Sequence, residues 1–134
     1  MQLTLHTDLA LRLLIVLARR DGEPLALTTF SAAQKVSYNH VAKVAQDLVR
    51  EGFLTSIRGR SGGMKLARGP GEIGVGEVVR RIEPTLQMAD CANCALRGDC
   101  GLAGLLCEAT DDFLARLDTR TLADVAGLAA AAPA

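Results

Sequence analysis

The chain has 134 residues, with 15 Lys and Arg against 15 Asp and Glu, 49% apolar residues, 3% aromatics and no Trp. That is one domain's worth of material with enough apolar mass for a core, and its charge balance excludes a uniformly basic or acidic polypeptide. A core drawn from Leu, Val, Ile and Ala, with Phe30, Tyr38, Phe53 and Phe113 as the aromatics, suits packed helices, so the expected class is mostly α.

The apolar run LALRLLIVLA, residues 9 to 18, is interrupted by Arg12 and preceded by Asp8, with no basic segment before it. It is too short to span a bilayer and reads as a helix of a cytoplasmic protein with no membrane attachment. This helix is predicted from a Thr7 cap to about Arg20, where Gly22 and Pro24 in DGEP stop it. A second helix is predicted over Thr29 to Lys35, with Phe30 and Ala33 inward.

VSYNHVAKVAQDLVREGFL carries the clearest period: Val41, Val44, Ala45, Leu48 and Val49 recur at helical spacing behind a Ser37 cap, and Gly52 closes the helix. Two short helices followed by a longer capped one predict a helix-turn-helix. LTSIRGRSGGMKLARGP, two extended runs around Gly-rich turn chemistry, predicts a β-hairpin wing. From Lys35 to Arg68 the charges are Lys35, Lys43, Arg50, Arg58, Arg60, Lys65 and Arg68 against Asp47 and Glu51. A neutral chain thus hides a basic half, the footprint of double-stranded DNA binding, where each cation that meets a phosphate releases counterions.

A short helix is predicted from about Gly76 to Ile82, with Pro84 at its exit. After the cysteines, a long helix starting near Asp99 places Leu102, Leu106, Ala109, Phe113 and Leu117 on one face. That face is assigned to a second copy of the chain, because DNA readers of this size pair to span two half-sites. TLADVAGL forms a terminal helical piece and AAAAPA a low-complexity end. The expected organisation is a winged helix-turn-helix over residues 1–84, a cysteine-rich loop over 85–100, a dimerisation helix and terminal helix over 101–128, and a flexible tail over 129–134.

On the DNA side, the first turns of the recognition helix nominate Ser37, Tyr38, Asn39, His40 and Lys43. Asn39 can contact adenine in a bidentate way, and Lys43 can meet guanine or phosphate. His40 could equally pack or cap. Arg58 and Arg60 flank Gly59 at the wing tip, where guanidinium groups enter a minor groove or bind phosphate.

Every cysteine lies in DCANCALRGDCGLAGLLC: Cys91, Cys94, Cys100 and Cys107, spaced x2, x5 and x6. A helix starting near Cys100 sets Cys107 about 10 Å along its axis, beyond disulfide reach, so Cys107 is predicted to be a buried helix residue. Three thiolates on a loop suit an iron-sulfur cluster; zinc, which wants four protein ligands, and a thiol redox switch stay open. Asp90, Asp8 or His6 could supply a fourth ligand.

MQLTLHTDLALRLLIVLA, VSYNHVAKVAQDLV, IRGRSGGMKLARGP and LDTRTLADV resemble, in order, landmarks of the Rrf family of winged-helix regulators over nearly the whole chain. The family's wing pattern R-G-x-x-G-G-x-x-L-A is met by Arg58, Gly59, Gly62, Gly63, Leu66 and Ala67. YNHVAKV and the LDTRTLADV ending are similar to the family's nitric-oxide-sensing repressor branch. The resemblance implies a homodimeric repressor whose cluster, [4Fe-4S] with [2Fe-2S] as the alternative, is held by Cys91, Cys94 and Cys100. It also implies Asp8 as fourth ligand, donated from the opposite subunit, and nitric oxide as the signal that releases the operator. The x2 first gap is shorter than that branch's x4 or x5, Cys107 is an extra thiol, and Ala103 stands where the iron-sulfur biogenesis branch carries histidine.

The expected function is therefore iron-sulfur-dependent regulation of transcription. An iron- or redox-sensing regulator of the same family and a zinc or thiol-switch repressor are the alternatives. No phosphate loop, nucleophile–base pair or second cysteine motif supports an enzyme or a cluster carrier.

Overall fold

The computed structural model describes residues 2–128; the tail predicted over 129–134 lies outside the described residues. Six α-helices run in the order α1 (Leu5–Ala18), α2 (Leu27–Gln34), α3 (Tyr38–Arg50), α4 (Val75–Ile82), α5 (Gly101–Asp118) and α6 (Leu122–Val125). Strands β1 (Leu54–Ile57) and β2 (Gly63–Leu66) form an antiparallel hairpin between α3 and α4, with Leu54 opposite Leu66 and Ile57 opposite Gly63.

α1 is the axle of the domain. A helix apolar on nearly every side must be surrounded, and α1 packs against α3, α4, α6 and β2. Leu9, Ala10, Leu13, Leu14, Leu17 and Ala18 are all buried within one continuous core that also takes Phe30, Val41, Val44, Leu48, Phe53, Met64 and Ile73. Its cap differs from the predicted one. Thr4, in extended backbone, accepts the Thr7 amide, and Thr7 itself is wholly buried one turn inside the helix. TLHT offers two threonines, and the earlier one captures the free amide.

In α2 the inward residues are Phe30 and Ser31; Ala33, predicted inward, is exposed. The Ser31 hydroxyl is buried at no cost in lost hydrogen bonding because it donates to the Val36 carbonyl at 2.6 Å. α3 buries Val41, Val44, Ala45 and Leu48 as predicted, but Val49 is 41% exposed, since it stands at the edge of the stripe those four residues form. The chain then reverses at Gly52, with φ +85°, a conformation glycine adopts without steric cost.

The wing is anchored at its root. Leu25 and Met64 exchange backbone hydrogen bonds of 2.9 and 2.8 Å, adding the α1–α2 link to the hairpin as a third extended segment. Gly63 makes that possible: its φ is +154°, and a Cβ there would stand 2.4 Å from the Leu25 carbonyl oxygen.

After α5 the chain returns to the core. Thr121 and Asp124 form a reciprocal capping box on α6. Leu122 and Ala126 are buried in the same core as α1, and Leu122 N donates to the Ile73 carbonyl at 2.7 Å. No helix among the described residues is long and apolar enough to cross a membrane.

Candidate nucleic-acid interface and cysteine loop

The buried stripe of α3 turns its opposite side outward, and the predicted reading residues divide by what already holds them. Ser37 is occupied as the N-cap: its hydroxyl accepts the His40 amide at 3.3 Å. Tyr38, Asn39 and Lys43 are exposed, with Asn39 and Lys43 one turn apart on the same side. His40 is half-buried because its ring stacks on His6 of α1, centroids 5.7 Å apart and planes at 26°. His6 Nε2 in turn lies 2.8 Å from an Asp47 carboxylate oxygen, and Arg50 reaches the other oxygen at 2.9 Å. This His40–His6–Asp47–Arg50 chain seats the recognition helix on α1, a link that the sequence gives no periodic signal for.

Arg58 and Arg60 are exposed in the hairpin turn on either side of Gly59, whose φ is +108°. Among the described residues neither makes an ion pair, and the same holds for Lys35, Lys43 and Lys65. Arg68, from the same basic stretch, is committed elsewhere. It bonds both Glu77 oxygens at 3.2 Å and lies over the Phe53 ring, 5.4 Å from its centroid. Sequence charge counts overstate the free cations for this reason: Arg50 and Arg68 serve the fold.

The cysteine loop is built from turns. Cys91 starts a 3-10 turn over Cys91–Asn93, where Asn93 bonds the Asp90 carboxylate at 2.9 Å. The Leu96 amide donates to Cys94 Sγ at 3.4 Å, the kind of amide-to-sulfur contact that surrounds cysteine-held clusters. Cys100 occupies the cap position of α5, directly before Gly101. Cys91 is half-buried, while Cys94, Cys100 and Cys107 are exposed. The predicted burial of Cys107 is thus corrected: the first half of α5 projects from the body, and Leu114 is the residue that α5 buries.

Asp8 sits in the first turn of α1 and is gripped by Arg12 at 2.6 and 2.9 Å, both side chains partly exposed. Among the described residues, no three His, Cys, Asp or Glu side chains converge on a point that could hold a metal ion. The chemistry of the donor set nonetheless fits an iron-sulfur group, with three reachable thiols in ten residues and an amide aimed at one sulfur.

Of the predicted dimer stripe, Leu102 is exposed and Leu106 and Ala109 are half-buried, and Leu105, outside that stripe, is exposed beside them. Leu102 and Leu105 are 55% and 59% exposed, whereas Phe113 and Leu117 line a groove of about 720 Å3 with Leu3, Leu11, Val75 and Val79. Arg80 on α4 clasps Asp118 at the end of α5 through two bonds of 2.5 and 2.8 Å. That guanidinium holds the Asp118 carboxyl below its ordinary range, and the carboxylate raises Arg80 in return.

Helix, turn, capped helix and an anchored basic hairpin define a winged helix-turn-helix, the architecture of a DNA-binding transcriptional regulator. The sequence matches the Rrf2 family model, described as an iron-dependent transcriptional regulator, over residues 3–127. The chain belongs to the Rrf2 family, whose members are transcriptional regulators rather than enzymes. It is 39% identical over 131 residues to the HTH-type transcriptional regulator NsrR of Halalkalibacterium halodurans, covering 93% of this chain and 90% of that one. The NsrR of Geobacillus kaustophilus is 40% identical, covering 93% and 89%. Among solved structures, CymR, the global cysteine regulator of B. subtilis, superposes with a TM-score of 0.77 at 24% identity, covering 95% of this chain and 97% of that one. IscR of T. potens superposes with a TM-score of 0.76 at 25% identity, covering 100% and 93%.

Proposed function

We propose that this regulator is a cluster-dependent repressor. It acts in the cytoplasm as a homodimer on a double-stranded DNA operator, and nitric oxide relieves the repression. The observation that carries the reading is the position of three accessible thiols immediately before α5: Cys91 and Cys94 in a turn, Cys100 at the helix cap. Cys91, Cys94 and Cys100 would hold the cluster, [4Fe-4S] or alternatively [2Fe-2S], with Asp8 from the opposite subunit as fourth ligand. When bound, the cluster supplies iron that nitric oxide can attack.

The chain's own residues explain how such a site would govern DNA affinity. Asp8 can leave Arg12 cheaply, since a half-exposed ion pair is worth about 0–1 kcal/mol, so the present pairing does not bar it from metal. α1 carries Asp8 near one end and seats α3 through His6, so the place where Asp8 is held bears on the recognition helix. Cys100 stands at the N-cap position of α5, and a loop held at that cysteine would fix where the exposed Leu102 and Leu105 are presented to a second copy. On the DNA, Tyr38, Asn39, His40 and Lys43 would meet base edges or phosphate, with Ser37 holding the helix start and Arg58 and Arg60 in the groove alongside. Two heads must span half-sites roughly 34 Å apart, so a small rotation between them forfeits several phosphate contacts at once.

Anaerobic purification tests the reading. The protein should carry iron and sulfide, show a cluster absorbance that nitric oxide bleaches, and lose DNA affinity in step. Equal affinity with the cluster intact, removed or nitrosylated defeats the proposal, as does a colourless, zinc-loaded protein. An iron- or redox-sensing regulator fits the family description equally well, and an absorbance and affinity indifferent to nitric oxide would select it.

A further inference from the structure

We propose that Cys91 and Cys107 form a reversible disulfide that competes with cluster binding, a peroxide-sensitive input that rests on the cluster reading above. The segment from Leu86 to Cys91 lies along the Ala103, Leu106, Cys107 and Thr110 side of α5, and the two thiols line one open concavity of about 340 Å3. Neither Cys94 nor Cys100 lines that space. Both sulfurs are free thiols, Cys107 exposed and Cys91 half-buried.

Helix geometry excludes the nearer partner in sequence. Cys100 and Cys107 lie about 10 Å apart along the α5 axis, past the roughly 7 Å Cα separation that a disulfide tolerates. The intervening residues 92–100 are exposed throughout, and Gly98 turns them at φ +88°. A loop with no buried side chain can shift to bring Cys91 to the helix without dismantling the core.

The chemistry balances with a peroxide as oxidant. The exposed Cys107 sulfur attacks one peroxide oxygen, the O–O bond breaks, and the products are a sulfenic acid and, after proton transfer, water. Cys91 sulfur then attacks Cys107 sulfur, the S–O bond breaks, and a second water leaves with the remaining protons. Two thiols lose two electrons and two protons, and one hydrogen peroxide becomes two waters. A low-molecular-weight dithiol reverses the bond. Cys91 is then unavailable as a thiolate, which leaves the cluster with two cysteine ligands from the chain.

The alternative pairing is local. The Cys94 amide donates to the Cys91 carbonyl at 3.3 Å, closing a turn that sets Cys91 and Cys94 side by side. Trypsin separates the two outcomes because Arg97 lies between Cys94 and Cys100.

The test uses full-length, metal-free protein, reduced anaerobically and then treated with hydrogen peroxide. Digestion without reductant should give a linked pair of peptides, one from each side of Arg97. The link should form within a monomer-sized band, disappear on reduction, persist in Cys94→Ser and Cys100→Ser, and vanish in Cys91→Ser and Cys107→Ser. A Cys91–Cys94 loop within one peptide, a link that survives Cys107→Ser, or a bond between two chains overturns the proposal. Reconstitution with ferrous iron and sulfide adds the functional arm. Oxidised wild type should lose iron uptake, while equally treated Cys107→Ser keeps it; equal loss in both overturns the competition. If reduced wild type also takes up no iron, the cluster reading falls while the peptide map still judges the disulfide.

Discussion

Arg58 and Arg60 project from the wing with no partner in the fold among the described residues, whereas Arg68, eight positions beyond Arg60, is tied to Glu77 and Phe53. Replacing Arg60 should therefore cost DNA contacts and leave packing alone. Arg60→Ala is expected to weaken duplex binding and to lower the slope of log affinity against log salt by about one, read by fluorescence anisotropy across a salt series. An unchanged slope removes the wing contact. At this scale, identities were more legible in the sequence than environments. Ser37 announced its capping role because Ser before an apolar period has few other uses, and the structure shows that cap. Thr7, Ala33, Val49 and Cys107 were misplaced because residue type and period alone do not say which of two threonines caps a helix, where a buried stripe ends, or how far a helix projects beyond the core. Arg50 and Arg68 count as cations in the sequence, yet their carboxylate partners are visible in three dimensions alone.

α5 is attached to the domain near its C-terminal end. It packs on α4, buries Leu114 and is clasped at Asp118 by Arg80. Because the guanidinium depresses the folded-state carboxyl below its unfolded value, the pair's stabilisation is complete above the usual carboxylate pKa of about 4 and is lost as pH falls through the depressed value. Asp118→Asn should lower the melting temperature slightly at neutral pH and flatten its decline toward pH 3, followed by circular dichroism. Parallel acid profiles in wild type and variant would show that the clasp contributes nothing to the fold. Elements were the most legible level. Strong local chemistry marks α3 through its cap and period, and the hairpin through SGG; the predicted helices over 29–35 and 76–82 fall within a few residues of α2 and α4. The arrangement of the cysteine loop was not legible, because its spacing constrains chemistry while its backbone follows exposed turns with no apolar period to read.

At the scale of the whole molecule, an 18-residue helix with one buried side chain is incomplete. Leu102 and Leu105 stand more than half exposed on its projecting half, and a second copy of the chain is the proposed cover. Leu102→Glu with Leu105→Glu should shift the sedimentation of the protein from dimer to monomer without loss of helical signal, since neither side chain contributes to the core. A double variant that remains dimeric places the subunit contact elsewhere. The tertiary plan was the least legible level. LALRLLIVLA reads locally as an apolar helix, but nothing local says that α3, α4, α6 and β2 all converge on it, nor that α6 returns across the chain to join them.

That convergence has a mechanical corollary. With α1 flanked by α3, α4, α6 and β2 and its wing-side neighbour stitched through Leu25 and Met64, only the face carrying Leu5, Asp8 and Arg12 is left toward solvent. Under the proposed function, a pull on Asp8 would therefore act on a helix that the recognition helix and the wing both pack against, so that the two DNA-facing parts would be displaced together rather than separately.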